Sequence, residues 1–379
     1  MYPEGQDERL ILKVTVTRRF FALSLAAGAG ARAQLTPMRR YIDPSTEVEV
    51  LALSDPSNAS FLPYNYNRCV SSRNGFIVYA TQTANGFQAL RLEMKGGASR
   101  ILTSASALDP KSLALSPDDR TLYYADGDRL FATSTSQSNA AAKPREIYKG
   151  ASPESFARGV SLSADGAAIA LFDKTKLLLI PTSAAAKAPA RTIAETETVN
   201  DRPEILKPNL VLFRGSDKSI CLADASGAAK PKRLPIEGDL GPAIWNPDGR
   251  SFLFLRVNQG PGIPNALFEY SLDTNKESLV GRTSQFVHFN RNADSSVFVG
   301  ASGSKAQPFI LLMLRITRRE LALCEHKASD PLQVSPIFSP SSQRIYFQSD
   351  RLGKPAIFSV AIEKLVERTE QEDNPVKKT

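Results

Sequence analysis

Short apolar runs and polar turns alternate in one recurring order from residue 69 onward. A short apolar strand leads into a Pro-Asp or Asp-Gly turn, and a strongly apolar strand follows. A polar loop, a third strand, a second turn and a fourth strand complete the unit. Residues 112–120, 121–125, 126–128 and 129–133 make one instance, and residues 160–166, 167–172, 173–176 and 177–181 another. Residues 243–256 carry a third, around Asn246-Pro247-Asp248-Gly249, and residues 334–361 the last. Pro fixes φ in such turns, Asp caps them and Gly supplies a positive φ. The β-branched and aromatic runs between them predict strands.

A repeat of about 40 residues with four strands is the signature of propeller blades. Starts fall near residues 69, 112, 159, 202, 242, 286 and 334, which predicts an all-β, seven-bladed β-propeller over residues 34–365. The last unit shows three strands, ending near Ala361, and residues 48–53 form an orphan strand. That strand is expected to supply the missing fourth and close the ring, since an open sheet edge invites pairing with other chains. Residues 34–42 and the charged, apolar-poor stretch 366–379 read as tails.

The first 33 residues read as an address. Thr17-Arg18-Arg19-Phe20-Phe21 precedes a short apolar run, and Ala31-Arg32-Ala33 offers a small-residue cleavage pattern before Gln34. The paired arginines are those of a twin-arginine-like signal, so a periplasmic or secreted protein is expected. The apolar run is too short to span a bilayer. Glu4, Asp7 and Glu8 do not suit a signal, which places the expected translation start near Val14 or Val16, with residues 1–13 an artefact of gene delimitation.

A net charge of +8 suits an anionic partner. Basic residues neither form a block in the mature chain nor interleave with aromatics, which argues against nucleic acid. Cys69, Cys221 and Cys324 are odd in number and widely spaced, unlike a disulfide framework or a zinc site. Motifs for nucleophile elbows, zinc proteases and phosphate loops are lacking.

Two segments carry a family resemblance. Asp43-Pro44-Ser45-Thr46-Glu47-Val48-Glu49-Val50-Leu51-Ala52-Leu53-Ser54 resembles the ring-closing strand of the oligogalacturonate lyases. Leu323-Cys324-Glu325-His326, continuing through Val334-Ser335-Pro336-Ile337-Phe338-Ser339-Pro340 to Ser349-Asp350-Arg351-Leu352-Gly353-Lys354, is similar to their last blade. The Ser-Pro-Asp turns resemble the broader TolB-type propellers. The resemblance implies β-elimination of galacturonate oligomers, with manganese held on histidines in the channel to stabilise the enolate-like intermediate.

Of the histidines this implies, His288 is kept. The pair at the start of the seventh blade falls on Gln333 and Ser335, and one ahead of Trp245 falls near Pro242. Neutral amide and hydroxyl oxygens hold transition metals weakly. No cofactor and no catalytic residue is therefore expected. Manganese belongs to the alternative of a lyase with a rebuilt site. The expected function is a monomeric binding protein for an anionic oligosaccharide or a protein partner, and a TolB-like interaction scaffold is a further alternative. Its site is expected at the channel mouth where innermost strands begin: Tyr64, Tyr66, Asn67, Arg68, Arg158, Arg202, Trp245, His288 and Gln333. Arginines bind carboxylates bidentately, and aromatic faces stack on sugars.

Overall fold

The computed structural model describes residues 34–362, apart from 36–37, 65, 137–142, 157–158, 184–188, 197–201, 208, 216, 258–259, 261–262 and 284. The expected export signal, the 366–379 tail, Arg158 and Asn65 lie outside the described residues.

Seven antiparallel sheets make a seven-bladed propeller. The innermost strands of blades two to seven are Ala114–Leu115, Val160–Leu162, Glu204–Ile205, Asp239–Trp245, Phe286–Arg291 and Ile337–Phe338. In blade one that place is divided between Ser60–Phe61 and a single bridge from Val70 to Ile77, both against Phe76–Thr83. The second strands are almost wholly buried, as in Ala168–Asp173 and Val297–Ser302, because neighbouring blades cover both their faces. Their sequences are therefore continuous apolar runs rather than alternating ones.

Buried apolar side chains fall into seven clusters, each between two adjacent blades. At the seam of blades seven and one, Ile77 and Tyr79 meet Tyr346 and Ile357. Burial of this kind contributes about 25 cal/mol per Å² of apolar surface and holds the ring together blade by blade.

The turns after the innermost strands share one geometry. Asp119, Gly166 and Gly249 hold φ at 65°, 73° and 66°, and Ser295 and Ser342 follow at 60° and 59°. Blade two thus places an aspartate where blades three and five use glycine. Asp and Asn tolerate that left-handed region because their side chains bond locally.

Glu49–Ala52 lies beside Ala356–Ala361, with Val50 opposite Val360. Residues 34–42, expected as a tail, instead contribute two strands. Arg39–Ile42 flanks Glu49–Ala52, and Gln34–Leu35 pairs with Ala98–Ile101 on the outside of blade one. Arg39–Ile42 is mostly exposed, so it has no hydrophobic alternation for a sequence pattern to register. Its backbone pairing satisfies an otherwise open edge. No helix among the described residues is long and apolar enough to cross a membrane.

Candidate functional site at the channel mouth

The innermost strands begin around one end of the central channel. Lys111 stands just ahead of Ala114–Leu115, and Arg202 just ahead of Glu204–Ile205. His288 is the third residue of Phe286–Arg291, and Gln333 ends the short turn Pro331–Gln333. The fold brings these four together. Lys111 Nζ donates to Gln333 Oε1 at 2.9 Å. Both Lys111 and Arg202 act electrostatically on His288.

His288 is buried, and its Nδ1 has no hydrogen-bond partner. Burial first, then the charges of Arg202 and Lys111, pull its pKa from 6.5 down to about 3. The imidazole is therefore neutral at neutral pH. Lys111 is itself lowered by burial and then by Arg202, against the opposing pull of Asp109 and Asp330. Among the described residues no carboxylate comes within ion-pair distance of Lys111.

Tyr64 and Tyr66 stack with centroids 5.7 Å apart and planes 10° apart. The Arg202 guanidinium lies 4.6 Å from the Tyr64 centroid and 5.0 Å from that of Tyr66, and Lys111 Nζ lies 5.5 Å from Tyr64. Cation–π attraction of this kind helps hold a guanidinium in place. On blade three, Gly159 has φ 78°, and a Cβ there would come within 2.4 Å of the Tyr64 ring. The two rings lie between Gly159 and Arg202 and support the guanidinium.

The segment carrying these rings lies inside the ring of blades. Tyr64 N donates to Lys111 O, and Leu115 N to Arg68 O, so the chain runs along the inner edge of blade two. Asn67 then reaches blade three: its Nδ2 donates to Val160 O at 2.8 Å, and Leu162 N donates to its Oδ1 at 3.3 Å. Asn67 is thus a buried brace and not a residue of the rim.

Two other expected residues sit elsewhere. Arg68 pairs with Asp119 at 2.8 Å and also donates to Ser116 O, which places it at the turn end of the channel. Trp245 is 2% exposed, and its Nε1 donates to Glu204 O at 3.1 Å. It packs edge-on against Phe252 between blades four and five. Sequence reasoning passed over Lys111, although it occupies in blade two the place that singled out Arg202 in blade four.

With the architecture in view, the molecule is an all-β, seven-bladed propeller. Its fold is similar to an oligogalacturonate lyase solved in complex with manganese, at TM-score 0.77 and 17% identity over 89% of this chain and 100% of that one. It is equally similar to an oligogalacturonate lyase of Vibrio parahaemolyticus, at TM-score 0.77 and 16% identity, with the same coverage of 89% and 100%. Hydrazine synthase of Kuenenia stuttgartiensis is more distant, at TM-score 0.53 and 12% identity over 78% of this chain and 95% of that one. No family model and no curated protein matches the sequence.

The manganese of that first neighbour raises the question whether this mouth suits a divalent cation. The donors at hand are one imidazole and one amide oxygen, and Gln333 Oε1 already accepts from Lys111. Burial and then two cationic side chains disfavour positive charge on the imidazole, and the charges of Arg202 and Lys111 also oppose a metal ion there. The other histidine, His326, is consumed structurally: its Nε2 lies 3.0 Å from Ser302 O, and its Nδ1 accepts from Ala328 N. Among the described residues no cluster of three His, Cys, Asp or Glu forms. These residues do not fit a divalent metal.

Proposed function

We propose that the chain is a non-catalytic binding protein that takes an anionic saccharide, of the galacturonate type, at the mouth formed by Lys111, Arg202, His288 and Gln333. The observation that supports this is the convergence of two cationic side chains on a buried neutral imidazole. A carboxylate entering there gains two charge-assisted contacts, which a neutral sugar lacks. The imidazole and the Gln333 amide add neutral hydrogen-bonding capacity beside them.

The same electrostatics support non-catalytic use as far as His288 is concerned. β-Elimination needs a base for a weakly acidic carbon-bound proton, and an imidazole with a pKa of about 3 is a poor one at neutral pH. The reading includes export, supported by the signal-like residues 17–33 and tested by whether the mature protein begins at Gln34.

The test is calorimetric titration with oligogalacturonate in the presence of a chelator, with ultraviolet absorbance followed for an unsaturated product. Saturable heat that weakens with salt is expected, with no new absorbance. Lys111→Gln and Arg202→Gln should each weaken binding roughly tenfold, the loss of one charge-assisted contact. A manganese-dependent rise in absorbance would make the chain a lyase. Absence of binding would discard the saccharide and pass the mouth to a protein partner.

A further inference from the structure

The opposite end of the channel carries a separate irregularity. In six blades the first residue of the turn after the innermost strand donates its amide across the turn, as Ser116 does to Thr121, Asn246 to Ser251 and Asn292 to Val297. These bonds put the six blades in register without reference to sequence. The residue just before the turn is then Val70, Leu115, Leu162, Trp245 and Phe338 in five of them. In blade six it is Arg291. One cation has entered a ring of apolar positions, and such a break in a local rule marks function more often than stability.

Arg291 is incompletely satisfied. Its Nε donates to Trp245 O at 2.6 Å and its Nη1 to Asn292 O at 3.1 Å. Nη2 makes no hydrogen bond among the described residues, and no carboxylate there lies within ion-pair distance of the guanidinium. Glu204 and Asp248 act on it only from farther away, and burial is the largest influence on it. Glu204 Oε1 is occupied by the Trp245 amide at 3.0 Å. A half-buried cation without a direct counter-ion costs more than a leucine there would.

Arg291 lines two cavities of about 370 and 270 Å³. Leu115, Leu162, Ile205 and Ile244 form much of the wall of the larger one. Arg68 also borders both, but its charge is met by Asp119. Arg291 thus presents an unbonded guanidinium edge beside a chamber of mixed lining, in which Glu204, Ser163 and Asn290 accompany the apolar wall.

We propose that this chamber is a second binding site, for a carboxylate borne on a compact apolar body, with the unbonded edge of Arg291 as its anchor. The carboxylate pairs with the guanidinium, and the apolar body displaces water from the leucine and isoleucine walls. A free aliphatic or aromatic acid and the C-terminal residue of an apolar peptide share this chemistry. Its anchor, Arg291, is no part of the mouth, although Tyr66, which lies beneath Arg202, also lines the chamber.

Trp245 is the only tryptophan of the chain and lines the larger cavity, so its fluorescence reports occupancy directly. The probes are hexanoate and phenylacetate, each against its amide, and a short apolar peptide with a free or an amidated C-terminus. Saturable fluorescence changes are expected for the carboxylates, with the amides roughly tenfold weaker or more. Arg291→Leu, which restores the residue type of the other blades, should abolish that preference while leaving the oligogalacturonate titration unchanged. Ala164→Leu, a substitution on the wall of the larger cavity that leaves the Arg291 side chain in place, should weaken every probe. A free-ended peptide binding tighter than the small acids would identify a chain terminus as the ligand, and the reverse order a small acid. Equal response to acid and amide, an unaltered affinity in Arg291→Leu, or no response to any probe would overturn the proposal.

Discussion

His288 should make the protein acid-labile in a defined window. Its imidazole is held neutral by burial and by Arg202 and Lys111, with a folded pKa of about 3 against 6.5 for the free group. Between those values the unfolded chain binds a proton that the folded chain refuses, so stability falls as pH falls. The contribution is fully present above pH 6.5 and is lost progressively down to about pH 3. Each full unit of that window is worth about 1.4 kcal/mol. Between pH 7 and pH 5 the imidazole of the unfolded chain goes from mostly neutral to almost wholly protonated, and the loss is about 2 kcal/mol. Urea unfolding of the wild type and of His288→Gln at both pH values measures it. His326, also lowered chiefly by burial, remains in both proteins and cancels. The variant should lose about 2 kcal/mol less than the wild type over this interval. Parallel loss in the two proteins would show that His288 is not held neutral by its surroundings, and the account of a positively charged mouth would fail with it.

Gly159→Ala should lower stability by about 1–3 kcal/mol and weaken oligogalacturonate binding, because the new methyl meets the Tyr64 ring that holds Arg202. Thermal melts and titration check this, and an unchanged melt refutes that contact. Removing residues 34–54 strips Glu49–Ala52 from Ala356–Ala361 and bares the apolar cluster of blades six and seven, so the melting temperature should fall sharply. An unaltered melt would show that this pairing does not hold the ring shut. Cys69 and Cys324 are buried with thiol pKa values raised by burial, whereas Cys221 is partly exposed. A thiol reagent on the native protein should therefore modify Cys221 first, and mass spectrometry finding Cys69 or Cys324 labelled at equal rate would contradict the packing.

Much of the architecture was legible because propeller strands advertise themselves twice, in apolar runs and in turn chemistry. The turn Asn246-Pro247-Asp248-Gly249 shows both the aspartate cap and the left-handed glycine, and Ser251–Val257 follows it as expected. Arg39–Ile42 was illegible because its pairing is carried by backbone groups and its side chains are mostly exposed. The mouth was half legible. A position just ahead of an innermost strand picks out Arg202, which the fold places beside His288, but gives no warning that Arg68 belongs to a segment running inside blade two. Its partner Asp119 lies in a turn 51 residues on, a long-range pairing that spacing cannot convey. Trp245 looked like a ligand platform because aromatic residues serve equally as platforms and as core. Only burial separates the two uses. Arg291 could have been found by aligning the turns, where a cation replaces an apolar residue.

The reach of Asn67 from the first blade to the third has a mechanical consequence. In a ring held only by contacts between neighbours, every joint yields at a similar load, and any blade can tilt without disturbing those beyond the next. Here a short-circuit ties blade three to the segment that also lies along blade two. Under tension that sector should deform as one stiff arc, because bending either of its two joints strains the same amide side chain. Compliance is thereby displaced to the far side of the ring, towards blades five and six, whose innermost strands carry Trp245 and Arg291.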